Sequence, residues 1–70
     1  MPRTQQKQPT KPHLQLVGTD GNAFAILGAA IRAARRAGWT KQQRDTYVTA
    51  ATAGDYDHLL AVTMDHFDVH

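Results

Sequence analysis

The stretch that decides the fold is Ala23-Phe24-Ala25-Ile26-Leu27-Gly28-Ala29-Ala30-Ile31-Arg32-Ala33-Ala34-Arg35-Arg36-Ala37-Gly38-Trp39-Thr40. Phe24, Leu27 and Ile31 recur at helical spacing and Ala34 continues their stripe, while the remaining alanines favour a helix locally. Gly28 falls on the same stripe, and a missing side chain there predicts close approach of another element. Gly38 suits the left-handed position after the last turn, with Trp39 folding back as the apolar contact of a Schellman ending. Arg32, Arg35 and Arg36 gather where the helix dipole favours cations. The first helix therefore runs from about residue 23 to residue 37, with Asp20 or Asn22 as its cap.

Downstream, Thr40-Lys41-Gln42-Gln43 has the spacing of a capping box and starts a second helix, whose thin apolar face is Tyr47, Val48 and Ala51. Gly54 ends it. Asp55 caps a third helix with the stripe Tyr56, Leu59, Leu60, Thr63 and Phe67, and Phe67-Asp68-Val69-His70 can extend as a strand. Upstream, Leu14 and Leu16 share one face of a strand over residues 13–17, and Gly18-Thr19-Asp20-Gly21-Asn22 is a turn. The expected fold is α+β: one small domain over residues 13–70 with three helices flanked by two short strands, in the order β-α-α-α-β. Residues 1–12 hold three basic side chains, three prolines and no acid, and read as a disordered or loosely docked basic arm. A core this small contributes little net stability, and two strands alone leave open edges, so a homo-oligomer is expected.

Composition removes several function classes. Seventy residues exclude a two-domain enzyme, and the formal charge of +2 is too weak to announce a nucleic-acid partner. Cysteine and serine are both absent, which removes disulfides, thiolate zinc sites and the usual nucleophiles. No apolar run is long enough to cross a bilayer, and a cytoplasmic protein with no membrane partner is expected.

Short connections make consecutive helices antiparallel, so the first and third helices start at the same end. That brings Asp20, Gly21 and Asn22 toward Asp55, Tyr56 and His58, the candidate ligand-binding residues. Two helix starts present amides with positive partial charge, which suits a phosphate or nucleotide. Asn22 and the amides after Gly21 would contact the anion; Tyr56 and His58 would orient it. The same residues also read as plain caps, since Asp20, Asp55 and Asp57 bring negative charge to that end. A metal reading of Asp20, Asp55, Asp57 and His58 lacks any recognised ligand spacing, and no metal or cofactor is expected. His66 and His70 with Asp65 and Asp68 form a second polar cluster that chain-end solvation explains. The alternative function is nucleic-acid binding by Arg32, Arg35, Arg36, Lys41 and Arg44 together with the basic arm, with Trp39 and Tyr47 near enough to stack on bases. A hydrolase using Asp57 and His58 is a third class that no motif requires.

The blocks Asp20-Gly21-Asn22-Ala23-Phe24-Ala25-Ile26-Leu27-Gly28 and Gly54-Asp55-Tyr56-Asp57-His58-Leu59-Leu60 give residues 16–69 a resemblance to a family of short bacterial proteins carried by phages and other mobile elements. The resemblance implies that these two blocks matter together. With it, the expected function is a non-enzymatic binding protein that takes an anionic, nucleotide-like ligand or a host protein at the shared helix starts.

Overall fold

The computed structural model describes residues 11–18 and 20–70; the arm up to residue 10 and Thr19 lie outside the described residues. The order is β1 (His13–Leu14), α1 (Ala23–Arg36), α2 (Lys41–Ala51), α3 (Tyr56–His66) and β2 (Asp68–Val69). The α+β reading with three helices between two strands holds, and the strands are shorter than the two stretches that nominate them. They pair in parallel, with His13 opposite Asp68 and Leu14 opposite Val69. The ladder continues beyond them, because the amides of Leu16 and Val17 both donate to the His70 carbonyl, at 2.7 and 3.0 Å. At its other end the Asp68 amide donates to Pro12, and Lys11 Nζ donates to the Met64 carbonyl. No helix among the described residues is long and apolar enough to cross a membrane.

The three helix starts and the end of α1 each have a local cause. Asn22 accepts from the Ala25 amide at the start of α1, which ends with the Trp39 amide donating to Ala34 and the Gly38 amide to Arg35, the two bonds of a Schellman ending. Gly38 has φ of +86° there, a conformation that penalises any side chain. Both halves of the capping box at Thr40 and Gln43 form. Asp55 accepts from the His58 amide and starts α3.

Packing departs from the sequence pattern in α1. Its buried residues are Ile26, Ala29, Ala30, Ala33 and Ala34; of the expected stripe only Ala34 is among them, and Phe24, Leu27 and Ile31 are turned roughly a third of a revolution from the buried face. Phe24 is 86% exposed, and Leu27 and Ile31 are only half-buried. Alanines let the helix axis approach its neighbours closely, and that tight seat outweighs the larger area the bulky stripe offers. The expectation at Gly28 fails with the stripe: among the described residues a methyl group there would meet only Arg32 of the same helix, and no other described element packs against it.

The core joins this alanine face to Leu14, Tyr47, Ala51, Leu59 and Phe67. Trp39 lies nearly parallel to Phe67 with centroids 5.1 Å apart, and Tyr47 meets Phe67 edge-on at 5.2 Å. Inside it, the hydroxyls of Tyr47 and Thr63 are 2.7 Å apart and both residues are fully buried, so one hydroxyl donates and the other accepts in a single buried hydrogen bond.

Candidate functional site

α2 runs back between two parallel neighbours, so α1 and α3 start at one end of the molecule. The contact that ties those starts together is the Tyr56 hydroxyl, which donates to the Gly21 carbonyl. Next to its two members in the sequence are Asp20, Asn22, Asp55 and Asp57, all exposed. The amides are partly spoken for. Asn22 Oδ1 accepts from Ala25 at 2.8 Å, Asp55 Oδ1 accepts from His58 at 2.9 Å, and Asp20 Oδ1 accepts from the Asn22 amide at 3.1 Å.

The structure brings Gly21 and Tyr56 into contact but turns His58 elsewhere. Its Nε2 donates to the Ala50 carbonyl at 2.8 Å, which closes the turn between α2 and α3. The ring lies so close to Gly54 that a methyl group there would come within 2.8 Å of His58 Cγ. His58 thus pins a turn, and the residue that joins the two helix starts is Tyr56.

Between those starts lies a groove of about 280 Å³, lined among others by Phe24 and Leu27 of α1, Ala51 of α2, and Asp55, Tyr56 and Leu59 at the start of α3. Its lining is mainly apolar, and Phe24 stands at its lip with most of its ring in water. The sequence pattern assigns Phe24 to the core. The available signal against that is that α1 carries two apolar stripes, an alanine one and a bulky one, and a single partner face can bury only one of them.

The basic residues of the alternative reading divide. Arg44 donates to the Trp39 carbonyl at 2.8 Å, and Lys41 pairs with Asp45 at 2.7 Å one helical turn on. Arg32, Arg35 and Arg36 remain exposed along the last turns of α1. Tyr47 is fully buried and Trp39 is half-buried against Phe67, so both rings belong to the core rather than to a base-stacking surface. Burial pushes the Tyr47 hydroxyl above its ordinary pKa, and the bond to Thr63 opposes that in part.

The second polar cluster assembles with a different membership. His66 leaves it: its Nδ1 donates to the Val62 carbonyl at 2.9 Å, and the ring packs edge-on against Tyr47 at 5.5 Å. Its place is taken by His13 from β1. Among the described residues, His13, Asp68 and His70 form the group whose potential ligand atoms converge, all within 4.8 Å of one another. The set Asp20, Asp55, Asp57 and His58 does not converge in this way. The chain matches no protein-family model, no curated protein and no solved structure.

Proposed function

We propose that the protein is a small non-enzymatic binding module of the cytoplasm that holds a partner protein at the shared start of α1 and α3. The observation that carries this reading is Phe24, an aromatic ring 86% exposed at the lip of an apolar groove. A large aromatic side chain left in water beside a concave apolar surface is the usual form of a binding anchor, since covering it removes apolar area from water on both partners. The groove supplies the complementary floor through Leu27, Ala51 and Leu59.

Charge narrows the partner. Asp55 lines the groove, and among the described residues neither Lys nor Arg lines it. An apolar side chain flanked by basic residues complements that field; an acidic segment does not. The same field, with the caps already holding one amide at each helix start, weighs for the partner-protein branch over the anionic-ligand branch of this site.

The test is an NMR titration of labelled protein with synthetic peptides that carry one central Leu or Phe between Lys/Arg or Asp/Glu flanks. The basic-flanked peptides are expected to shift Phe24, Leu27 and Tyr56 and to bind at least tenfold more tightly, with binding lost in Phe24→Ala and the gain from basic flanks reduced in Asp55→Asn, which removes the charge and keeps the cap. Indifference to flank charge overturns the reading. Inorganic phosphate or a nucleotide shifting the amides of residues 22–25 returns the site to the anion branch. Oligonucleotide shifts at Arg35 and Arg36 that fade with salt favour the nucleic-acid alternative.

A further inference from the structure

At the other end of α3, the two strands set up a second site that does not depend on the first. We infer that His13, Asp68 and His70 form a binding site for one divalent transition-metal ion of the zinc type.

The placement follows from the ladder. Alternate residues of a strand point to the same side, so Asp68 and His70 share one face of β2, and the parallel register sets His13 beside Asp68 on that face. Leu14, one residue on, turns inward and is buried, which fixes His13 outward. The backbones of Asp68 and His70 are held directly, and His13 is held between its bonded neighbours Pro12 and Leu14: the Asp68 amide donates to Pro12, the His70 amide donates to Leu14 at 2.9 Å, and the His70 carbonyl accepts two further amides. The ligand set is thus anchored by main-chain bonds while its side chains remain in solvent.

The distances suit an ion. His13 Nδ1 and His70 Nε2 are 2.8 Å apart, and Asp68 Oδ2 lies 3.6 Å from the first and 3.7 Å from the second. Bonds of the length zinc makes to nitrogen and oxygen, set tetrahedrally, separate neighbouring ligand atoms by about 3.4 Å. The oxygen therefore needs to close on each nitrogen by a few tenths of an ångström and the nitrogens to open by about half an ångström. Exposed side chains supply that by small χ rotations. The rings are nearly coplanar, at 15°, with centroids 5.1 Å apart while their nitrogens are far closer, so they meet edge to edge through the nitrogens. One of the two nitrogens carries the hydrogen between them. Metal binding moves it to the other nitrogen of its ring by tautomer exchange, freeing both lone pairs for the ion.

Two imidazoles and one carboxylate are a set that zinc, cobalt and nickel accept and that magnesium and calcium, which take oxygen, do not. Water completes the shell. Because the ligands lie 57 residues apart in sequence, the unfolded chain does not present the site, and binding must stabilise the fold.

The experiment uses the untagged full chain. Co²⁺ titrated optically and Zn²⁺ followed by thermal melts are expected to give one ion per chain. With the ion about a hundredfold above its dissociation constant, Tm should rise on the order of 10 °C, with no rise from Mg²⁺ at equal concentration. His13→Ala, His70→Ala and Asp68→Asn should each weaken binding at least tenfold, and Asp65→Asn should not. Should a variant lose its far-UV signal, paramagnetic shifts from Co²⁺ on the wild-type amides decide, since they must centre on residues 13, 68 and 70. Equal response to Zn²⁺ and Mg²⁺, full binding by either histidine variant, shifts centred elsewhere, or one ion per two chains overturns the site.

Discussion

The rotation of α1 about its own axis can be tested by exchanging one side chain on each of its two apolar stripes. Ile26 is 3% exposed and Phe24 is 86% exposed, so the larger residue should matter less to folding. Ile26→Val removes one buried methyl group and costs about 0.5–1.5 kcal/mol; Ile26→Ala costs about 2–5 kcal/mol, comparable to the whole net stability of a domain this small. Phe24→Ala creates no cavity and gains a few tenths of a kcal/mol of helix propensity, so it should stay within about 0.5 kcal/mol of wild type. At about 4–8 °C per kcal/mol, Ile26→Val lowers Tm by several degrees while Phe24→Ala leaves it in place. Far-UV melts and urea titrations at a concentration where the chain is monomeric measure both, with unchanged m confirming that the folded state alone is compared. A larger loss from Phe24→Ala than from Ile26→Val refutes the rotation. It would put Phe24 in the core and remove the anchor on which the binding proposal stands.

The buried hydroxyl pair gives a second test: Tyr47→Phe and Thr63→Val should each cost about 1–3 kcal/mol by stranding the other hydroxyl, and the double variant should cost clearly less than their sum; additivity within about 0.5 kcal/mol refutes the coupling. Tyr47 also fixes an alkaline limit. Its folded pKa is raised by burial, so the neutral ring contributes fully below the ordinary tyrosine value of about 10, and that contribution is lost as pH rises from there through the folded value. Urea midpoints across that range should fall more steeply for wild type than for Tyr47→Phe. Gly38→Ala should cost about 1 kcal/mol in urea titrations although a methyl group there would touch nothing, because its φ of +86° is the whole penalty.

Much of this fold is written locally. Capping chemistry places the starts of α2 and α3 because Thr40, Gln43 and Asp55 act on amides three residues away, and Gly38 with Trp39 ends α1 by the same short-range logic. Such signals need no knowledge of the rest of the chain. The face that α1 buries is different in kind. Ranking residues by size selects Phe24, Leu27 and Ile31, whereas the packed molecule selects the side on which alanines allow the closest approach of α2, α3 and β1. That choice depends on the partner elements, which no window of sequence contains. Gly28 misleads for the same reason, being small on a side that no other described element approaches.

The sites repeat this division. That Tyr56 should reach the turn before α1 follows from helix count and short loops, and the hydroxyl bond to Gly21 realises it. The orientation of His58 does not follow, because it is set by a carbonyl at the end of α2, that of Ala50, which accepts the ring nitrogen beside the Ala53 amide and competes for the ring against anything in the groove. His13 is further from legibility. Its pairing with His70 requires that the two strands run parallel and in one register, and a slip of a single residue would carry His13 to the buried face and Leu14 to water. The apolar cost of exposing Leu14, which is 2% exposed in the folded chain, therefore fixes the register. A core leucine thus holds the histidines together, and Leu14→Asn should loosen the imidazole pair and weaken any metal ion it holds without altering a single ligand.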